Sequence, residues 1–306
     1  MSTVKTLLVV GGTGFIGSCL ARRATEIGLN TSVLSSREPI DERKINKVEY
    51  LYADIRDKEQ LKEVFRDKNF SYIVNLSGYV DHSSYLDGGR GVIDSHFNGL
   101  LNLVEVLDWN SIETFVQIGS SDEYGDTPAP QTESICTYPI SPYAFAKSAA
   151  NLFFQMLNHT EGFPVVMLRF FLVYGPGQNK ERFLPQVIRG CLENKTFPTS
   201  KGEQIRDFCY IDDIIDGITS TFGKKECYGE IINLASGVPV KIRDVLSTIV
   251  KTVGSGKPDF GAIHYRPGEN MSLYADCDKA KKILGWSSQT SLDAGIKKTI
   301  EYYKNN

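Results

Sequence analysis

A chain of 306 residues is long enough for one large domain, or for two joined ones around a substantial core. Its 34 basic and 37 acidic residues nearly balance and form no run of one sign, so neither nucleic acid nor an anionic membrane is the expected partner. No apolar run approaches the length of a membrane span, and Met1 to Lys5 leads straight into an expected strand, which leaves no room for a signal peptide.

Thr6 to Val10 is a short apolar run of the kind a buried parallel strand gives. Gly11-Gly12-Thr13-Gly14-Phe15-Ile16-Gly17 follows at once, then a helical stretch through Ala24. Glycines at 11, 14 and 17 let the turn tighten, let backbone approach a pyrophosphate and let the helix pack on the sheet, with phosphates at the helix N-terminus near Thr13, Phe15 and Ile16. A second strand, Thr31 to Ser35, ends where an NAD-binding chain would place an acid for the ribose 2′-OH. Here Ser35-Ser36-Arg37 offers two hydroxyls and a guanidinium, which favours NADP(H) and leaves NAD(H) possible, with Arg37 as a merely solvated residue in the second case.

Val48 to Tyr52 reads as the third strand, with Asp54 and Ile55 just beyond it. Tyr72 to Leu76 reads as the fourth, ending in Ser77-Gly78, whose small side chains let backbone approach a cofactor. The polar, glycine-rich segment from Tyr79 to Gly91 carries His82 and Ser83, which could border a substrate or simply be solvated. A helix is expected from Val92 to Leu107. The fifth strand, Thr114 to Ile118, delivers Gly119-Ser120-Ser121-Asp122-Glu123-Tyr124-Gly125 to the same carboxyl edge.

Ser141-Pro142-Tyr143-Ala144-Phe145-Ala146-Lys147 then opens a helix that puts Tyr143 and Lys147 on one face. A lysine held beside a tyrosine is expected to pull the phenol pKa down from about 10 and so favour proton exchange with an alcohol or carbonyl oxygen. After Val165 to Phe170, a sixth strand, the alternation of strand and helix loosens. Arg206 to Asp213 is expected to open a further helix, and Arg266-Pro267-Gly268-Glu269 to lie in a loop. Arg206 and Arg266 suit a diphosphate clamp, or equally salt bridges to Asp207 or Glu269. Helices from Asp278 to Leu284 and from about Ser291 to Tyr303 close the chain. Six cysteines without paired spacing point to reduced thiols in a cytoplasmic protein, not to a metal site or disulfides.

The glycine-rich turn, Ser120, Tyr143-x3-Lys147, Arg206-Asp207-Phe208 and Arg266-Pro267-Gly268-Glu269 occur in this order over nearly the whole chain. Together they resemble an extended short-chain dehydrogenase/reductase of the NAD-dependent epimerase/dehydratase family, whose members act on nucleotide sugars. The resemblance implies an α/β fold: a doubly wound parallel Rossmann sheet with a smaller, discontinuous C-terminal substrate domain. The division expected is 1–173 with 207–236 for the dinucleotide, and 174–206 with 237–306 for the nucleotide sugar. It further implies Tyr143 as general acid/base, Lys147 as its partner and nicotinamide-ribose contact, and Ser120 as the hydroxyl on the reacting oxygen. Asp54 and Ile55 would touch adenine, Leu76, Ser77 and Gly78 the cofactor, and Arg206 and Arg266 the diphosphate. His82, Ser83, Ser121 and Asp122 are the remaining substrate candidates, and a homodimer through the helices starting near Val92 and Tyr143 is a family expectation.

Within the family, Gly119 to Gly125 is similar to the motif of GDP-4-keto-6-deoxymannose reductases, and Gln204 to Phe208 to that of CDP-abequose and CDP-paratose synthases. These similarities imply NADPH-dependent reduction of a C4 ketone on a nucleotide-linked 4-keto-6-deoxy hexose. The alternatives are an NAD-dependent 4-epimerase, then a 4,6-dehydratase, and outside catalysis a dinucleotide-sensing regulator. Dehydratases carry a glutamate that an ungapped alignment replaces with Asp122, whereas a gapped one would supply Glu123. The asparagine that epimerases use near the sugar diphosphate is Leu172 here.

Overall fold

Thirteen short strands carry the architecture of the computed structural model, which describes residues 4–265 and 268–306. In chain order they are β1 (Thr6–Val10), β2 (Asn30–Ser35), β3 (Glu49–Tyr52), β4 (Tyr72–Asn75), β5 (Thr114–Ser120), β6 (Val165–Phe170), β7 (Leu172–Tyr174), β8 (Thr196–Thr199), β9 (Ile205–Tyr210), β10 (Ile231–Leu234), β11 (Pro239–Lys241), β12 (Lys257–Phe260) and β13 (Ser272–Leu273). Seven of them form one sheet in the order β3-β2-β1-β4-β5-β6-β10, and every neighbouring pair is parallel. The order reverses between β1 and β4, so the connections that leave these two neighbouring strands run to opposite halves of the sheet and open a crevice at their carboxyl ends.

The apolar run of β1 is explained by cover on both faces. Leu7 and Val9 join a core with Leu20 and Ala24 of the helix Phe15–Glu26 and with Ile214 and Ile218 of the helix Ile211–Thr219. Leu8 and Val10 point the other way, into a core with Leu61, Leu103 and Phe154. Alternation along a strand sends neighbours to opposite faces, and full burial of each such side chain contributes roughly 1.5–3 kcal/mol.

Two expectations change here. The helix expected from Val92 is preceded by helical turns from Tyr85, and wide i→i+5 turns recur between Asp94 and Asn98. Gly88, at φ 115, kinks the entry, which is why this glycine-rich stretch concealed its helical character. Arg206 to Tyr210 is not the start of a helix but strand β9, and the helix begins at Ile211. β9 is hydrogen-bonded to β7, β11 and β13, so its alternating apolar residues Phe208 and Tyr210 are buried by sheet packing that no local signal announces. Among the described residues, no helix is long and apolar enough to cross a membrane.

Candidate active site

The glycine-rich turn after β1 has the shape of a phosphate cradle. Gly11 has φ +76, and a Cβ there would lie 2.8 Å from the Leu76 carbonyl oxygen; at Gly17 it would lie 2.5 Å from the Gly12 Cα. At Gly14 a Cβ would meet only the Gly11 carbonyl oxygen, at 3.2 Å, so this position borders open space. The helix that starts at Phe15 has no side-chain cap and no acid in its first turn, leaving amides and the positive end of its dipole to an anion. These residues fit a dinucleotide pyrophosphate. Beside the turn, the Thr13 and Ser35 hydroxyls are 2.7 Å apart, while Ser36 and Arg37 are exposed.

The adenine candidates are less open. Asp54 is gripped by Arg56, Oδ2 to Nη2 at 2.6 Å, and this pairing holds its carboxyl below the usual carboxylate range. Ile55 packs against Gly99, where a Cβ would approach it to 2.8 Å. Leu76 donates its amide to the Val10 carbonyl, Ser77 donates its amide and hydroxyl to Asn75 Oδ1, and Gly78 has φ +97 under the His96 ring.

The proton-transfer group comes from two elements. Ser141 caps the helix Pro142–Glu161, its hydroxyl accepting the Ala144 amide at 3.1 Å, and Pro142 sets the first turn. That start turns Tyr143 and Lys147 inward, and both are buried. Lys147 Nζ donates to the Ile118 carbonyl at 2.8 Å and lies 5.9 Å from the Tyr143 ring centre. Ser120, the last residue of β5, hydrogen-bonds the Tyr143 phenol, while its hydroxyl accepts the Asp122 amide at 3.2 Å. Ser120, Tyr143 and Lys147 are thus brought together.

The phenol is not acidified as expected. Burial pushes the Tyr143 pKa well up, and the Asp122 carboxylate adds to the rise, against a smaller opposing effect of the Ser120 hydrogen bond. Lys147 directs one N–H to the Ile118 carbonyl, and burial lowers its own pKa to about 8, opposed by Glu123.

His82 does reach this group. Its ring meets Tyr143 edge-on at 5.8 Å, and its Nε2 lies 3.7 Å from Asp122 Oδ2. Ser83 does not, since its amide and hydroxyl turn back to Asp81 Oδ1. Ser121 is buried in the turn after β5. Arg206 is tied to Glu269 and to the Ile205 carbonyl, and Asp207 instead accepts the amides of Ser236, Gly237 and Ala275. Arg266 lies outside the described residues.

Of three further contributors, the sequence marks Glu123 only as a possible dehydratase glutamate and does not single out His96 or Arg43. Glu123 is fully buried, pairs with Arg169 at 2.9 Å, and accepts the Ser120 amide at 2.7 Å and Asn151 Nδ2 at 2.5 Å. It faces the interior and anchors the catalytic turn from beneath. His96 stacks edge-on to Tyr143 at 5.2 Å with Nε2 2.8 Å from the Tyr79 carbonyl; burial and the nearby Lys147 charge hold its pKa down to about 3, so it stays neutral. Arg43 donates to the carbonyls of Thr13, at 3.4 Å, and Gly177, at 2.8 Å. A helix periodicity count could have placed His96 on the inner face; nothing local marks Arg43.

A parallel Rossmann sheet whose carboxyl edge holds a glycine-rich turn and a Ser-Tyr-Lys cluster defines an enzyme of the short-chain dehydrogenase/reductase type. The sequence profile of the NAD dependent epimerase/dehydratase family matches residues 7–235, and the chain belongs to that family, which makes a nicotinamide dinucleotide its cofactor. It is similar to the UDP-glucuronate 4-epimerase of Thermodesulfobacterium geofontis, 28% identical over 267 residues, covering 86% of this chain and 82% of that protein. It is likewise similar to dTDP-glucose 4,6-dehydratase 1 of Escherichia coli, 27% identical over 338 residues, covering 98% and 93%. Among solved structures, the UDP-glucuronic acid 4-epimerase of Bacillus cereus, in complex with UDP-glucuronic acid and NAD, superposes with a TM-score of 0.89 at 26% identity, covering 98% of this chain and 99% of that one.

Proposed function

We propose that this chain moves a hexose carbon of a nucleotide sugar between alcohol and ketone at C4, and that it does so as a 4-epimerase. The reading rests on the Ser120–Tyr143–Lys147 group at the carboxyl edge, and 4-epimerisation draws support from the two 4-epimerases to which the chain is similar. A nicotinamide dinucleotide, when held by the glycine-rich turn, would supply the hydride chemistry at C4. On the oxidising leg Tyr143 Oη would first have to ionise, which the positive charge of an oxidised nicotinamide and of Lys147 would favour against burial; it would then take the proton of the C4 hydroxyl and return it on the reducing leg, while Ser120 Oγ holds the C4 oxygen. Lys147, once its ammonium faces the cofactor side, stabilises negative charge shared by phenol and substrate oxygen. Arg206, released from Glu269, would take a phosphate of the diphosphate.

A second reading, the NADPH-dependent 4-ketoreductase, is favoured by two observations. β2 ends at Ser35 and is followed by Ser36-Arg37, with no acid there for a ribose 2′-OH, and burial favours the protonated Tyr143, as suits a group that must protonate an alkoxide. Dehydration fits less well, because Glu123 is walled in beneath the turn. Exposed Phe145, Leu152 and Met156 along the helix Pro142–Glu161 support a homodimer through that face.

The test is cofactor balance. Purified protein with UDP-glucose or UDP-glucuronic acid is expected to form the C4 epimer without net consumption of dinucleotide, and the Tyr143→Phe variant to lose turnover by about 10²–10⁴-fold. Stoichiometric NADPH oxidation with a 4-keto-6-deoxy nucleotide sugar, and no epimer from either UDP-sugar, would replace the first reading with the second. A cellular role left intact in Tyr143→Phe would reopen the reading of a non-catalytic dinucleotide sensor.

A further inference from the structure

We propose that Asn270 is a positioning residue for the C4 chemistry, holding the turn that carries Ser120 in register with the strands that carry Arg206. Its neighbour Glu269 pairs with Arg206, and the two side chains are 20% and 12% exposed. Asn270 itself reaches in two directions. Its Oδ1 accepts the amide of Ser272, the first residue of β13, at 2.8 Å, and its Nδ2 donates to the Gly125 carbonyl at 2.8 Å. β13 runs parallel to β9 with Leu273 opposite Arg206, and the Ile205 amide donates to the Met271 carbonyl at 2.8 Å. One side chain therefore joins the strand pair of Arg206 to the end of the catalytic turn.

Gly125 is where a contact of this kind reaches the chemistry. Its amide donates to the Asp122 carbonyl at 3.1 Å, and the Asp122 amide donates to Ser120 Oγ at 3.2 Å. That hydroxyl is the one that hydrogen-bonds the Tyr143 phenol. Gly125 has φ 58 and ψ −130, and a Cβ there would lie 1.9 Å from the Tyr138 carbonyl oxygen. A glycine can leave such a conformation as readily as it enters it, so its own backbone does little to hold the turn. The hydrogen bond from Asn270 fixes the Gly125 carbonyl, and with it the direction in which the chain leaves the turn.

A purely structural part for Asn270 would be to fasten the loop that follows Gly125, but that loop is fastened already. Gln131 is fully buried, donates its amide to the Tyr274 carbonyl at 2.9 Å, and accepts the Asp276 amide at 3.0 Å. Its side chain donates to the Ser272 carbonyl and accepts the Tyr274 amide. Asn270 acts nearer Ser120, on the turn itself. Glu123 anchors that turn from beneath, and Asn270 holds it at its exit. Misplacing a reacting group by about 1 Å costs on the order of 10²-fold in rate, so a modest slackening here is readable in turnover.

Asn270 acts on the C4 chemistry proposed for Ser120 and Tyr143, in the epimerase or the reductase direction, and so rests on that reading. Aspartate at this position keeps an acceptor for the Ser272 amide but has no N–H for Gly125, which separates the two contacts. Steady-state kinetics of the full chain are measured with UDP-glucose, UDP-glucuronic acid or a 4-keto-6-deoxy nucleotide sugar, whichever the wild type converts. Asn270→Asp and Asn270→Ala are both expected to lower kcat by about tenfold or more with KM within about twofold, and Asn270→Asp to keep the wild-type Tm. Unchanged kcat in both variants would overturn the inference and leave the C4 reading standing. A Tm that falls in step with kcat in Asn270→Asp would make the residue structural only, and a rise in KM with kcat intact would make it a binding residue; either result overturns the positioning role. A wild type that converts none of these sugars would overturn the C4 reading, and the role of Asn270 with it.

Discussion

Replacing Glu123 by Gln tests the claim that a buried ion pair supports the catalytic turn. Glu123 and Arg169 are 0% and 2% exposed at their side chains and 2.9 Å apart, and Arg169 also lies over the Tyr124 ring at 4.6 Å. The variant keeps the shape and can still accept the Ser120 amide, yet it leaves the guanidinium buried without its counter-charge. Breaking a buried pair from one side costs about 3–5 kcal/mol, a large share of a stability of roughly 5–15 kcal/mol. For a chain of this length that corresponds to a fall in Tm of roughly 5–8 °C. Chemical denaturation monitored by circular dichroism, with thermal scans beside it, measures the loss. A second variant, Glu123→Leu with Arg169→Met, removes both charges and is expected to recover most of it. If Glu123→Gln loses less than about 1 kcal/mol, the pair is not holding the turn and the reasoning fails.

Two more expectations concern pH. His96 has its pKa held down to about 3, against 6.5 for an ordinary histidine, so the unfolded state binds a proton that the folded state refuses. Stability present above about pH 6.5 should fall as pH drops toward 3, by on the order of 4 kcal/mol, and His96→Gln should flatten that limb of the urea-unfolding profile; parallel profiles would refute it. Lys147 is lowered from 10.5 to about 8, so its burial penalty is relieved as pH rises through that window. Relative to Lys147→Met, the wild type should gain ~2 kcal/mol between about pH 8 and pH 10, and a constant difference would contradict the buried ammonium.

Much of this protein is written in short segments of its sequence. The apolar run Thr6–Val10 and the glycines that follow it specify strand, turn and helix start by local sterics, and no distant residue is needed to read them. Tyr143 and Lys147 share a face because four residues make about one helical turn, and Ser141-Pro142 marks where that helix begins. Ser120 joins them because parallel strands deliver their carboxyl ends to one edge.

What local pattern could not supply is what surrounds those residues. The acidity of Tyr143 depends on burial and on Asp122, and both reverse the effect expected from a lysine one turn away. Glu123 looks like one more acid in a polar turn until Arg169, on the neighbouring strand, encloses it. β9 is a strand because β7, β11 and β13 supply its hydrogen bonds, although residues 206–213 read as a helix start by themselves. Arg43 meets Thr13 and Gly177 across separations of 30 and 134 residues. Periodicity and turn chemistry act over a few residues, so the sequence by itself determined the sheet, the cradle and the Tyr–Lys helix. Desolvation and charge pairing act through space, so only the tertiary structure decided how acidic the tyrosine is and which carboxylate is structural.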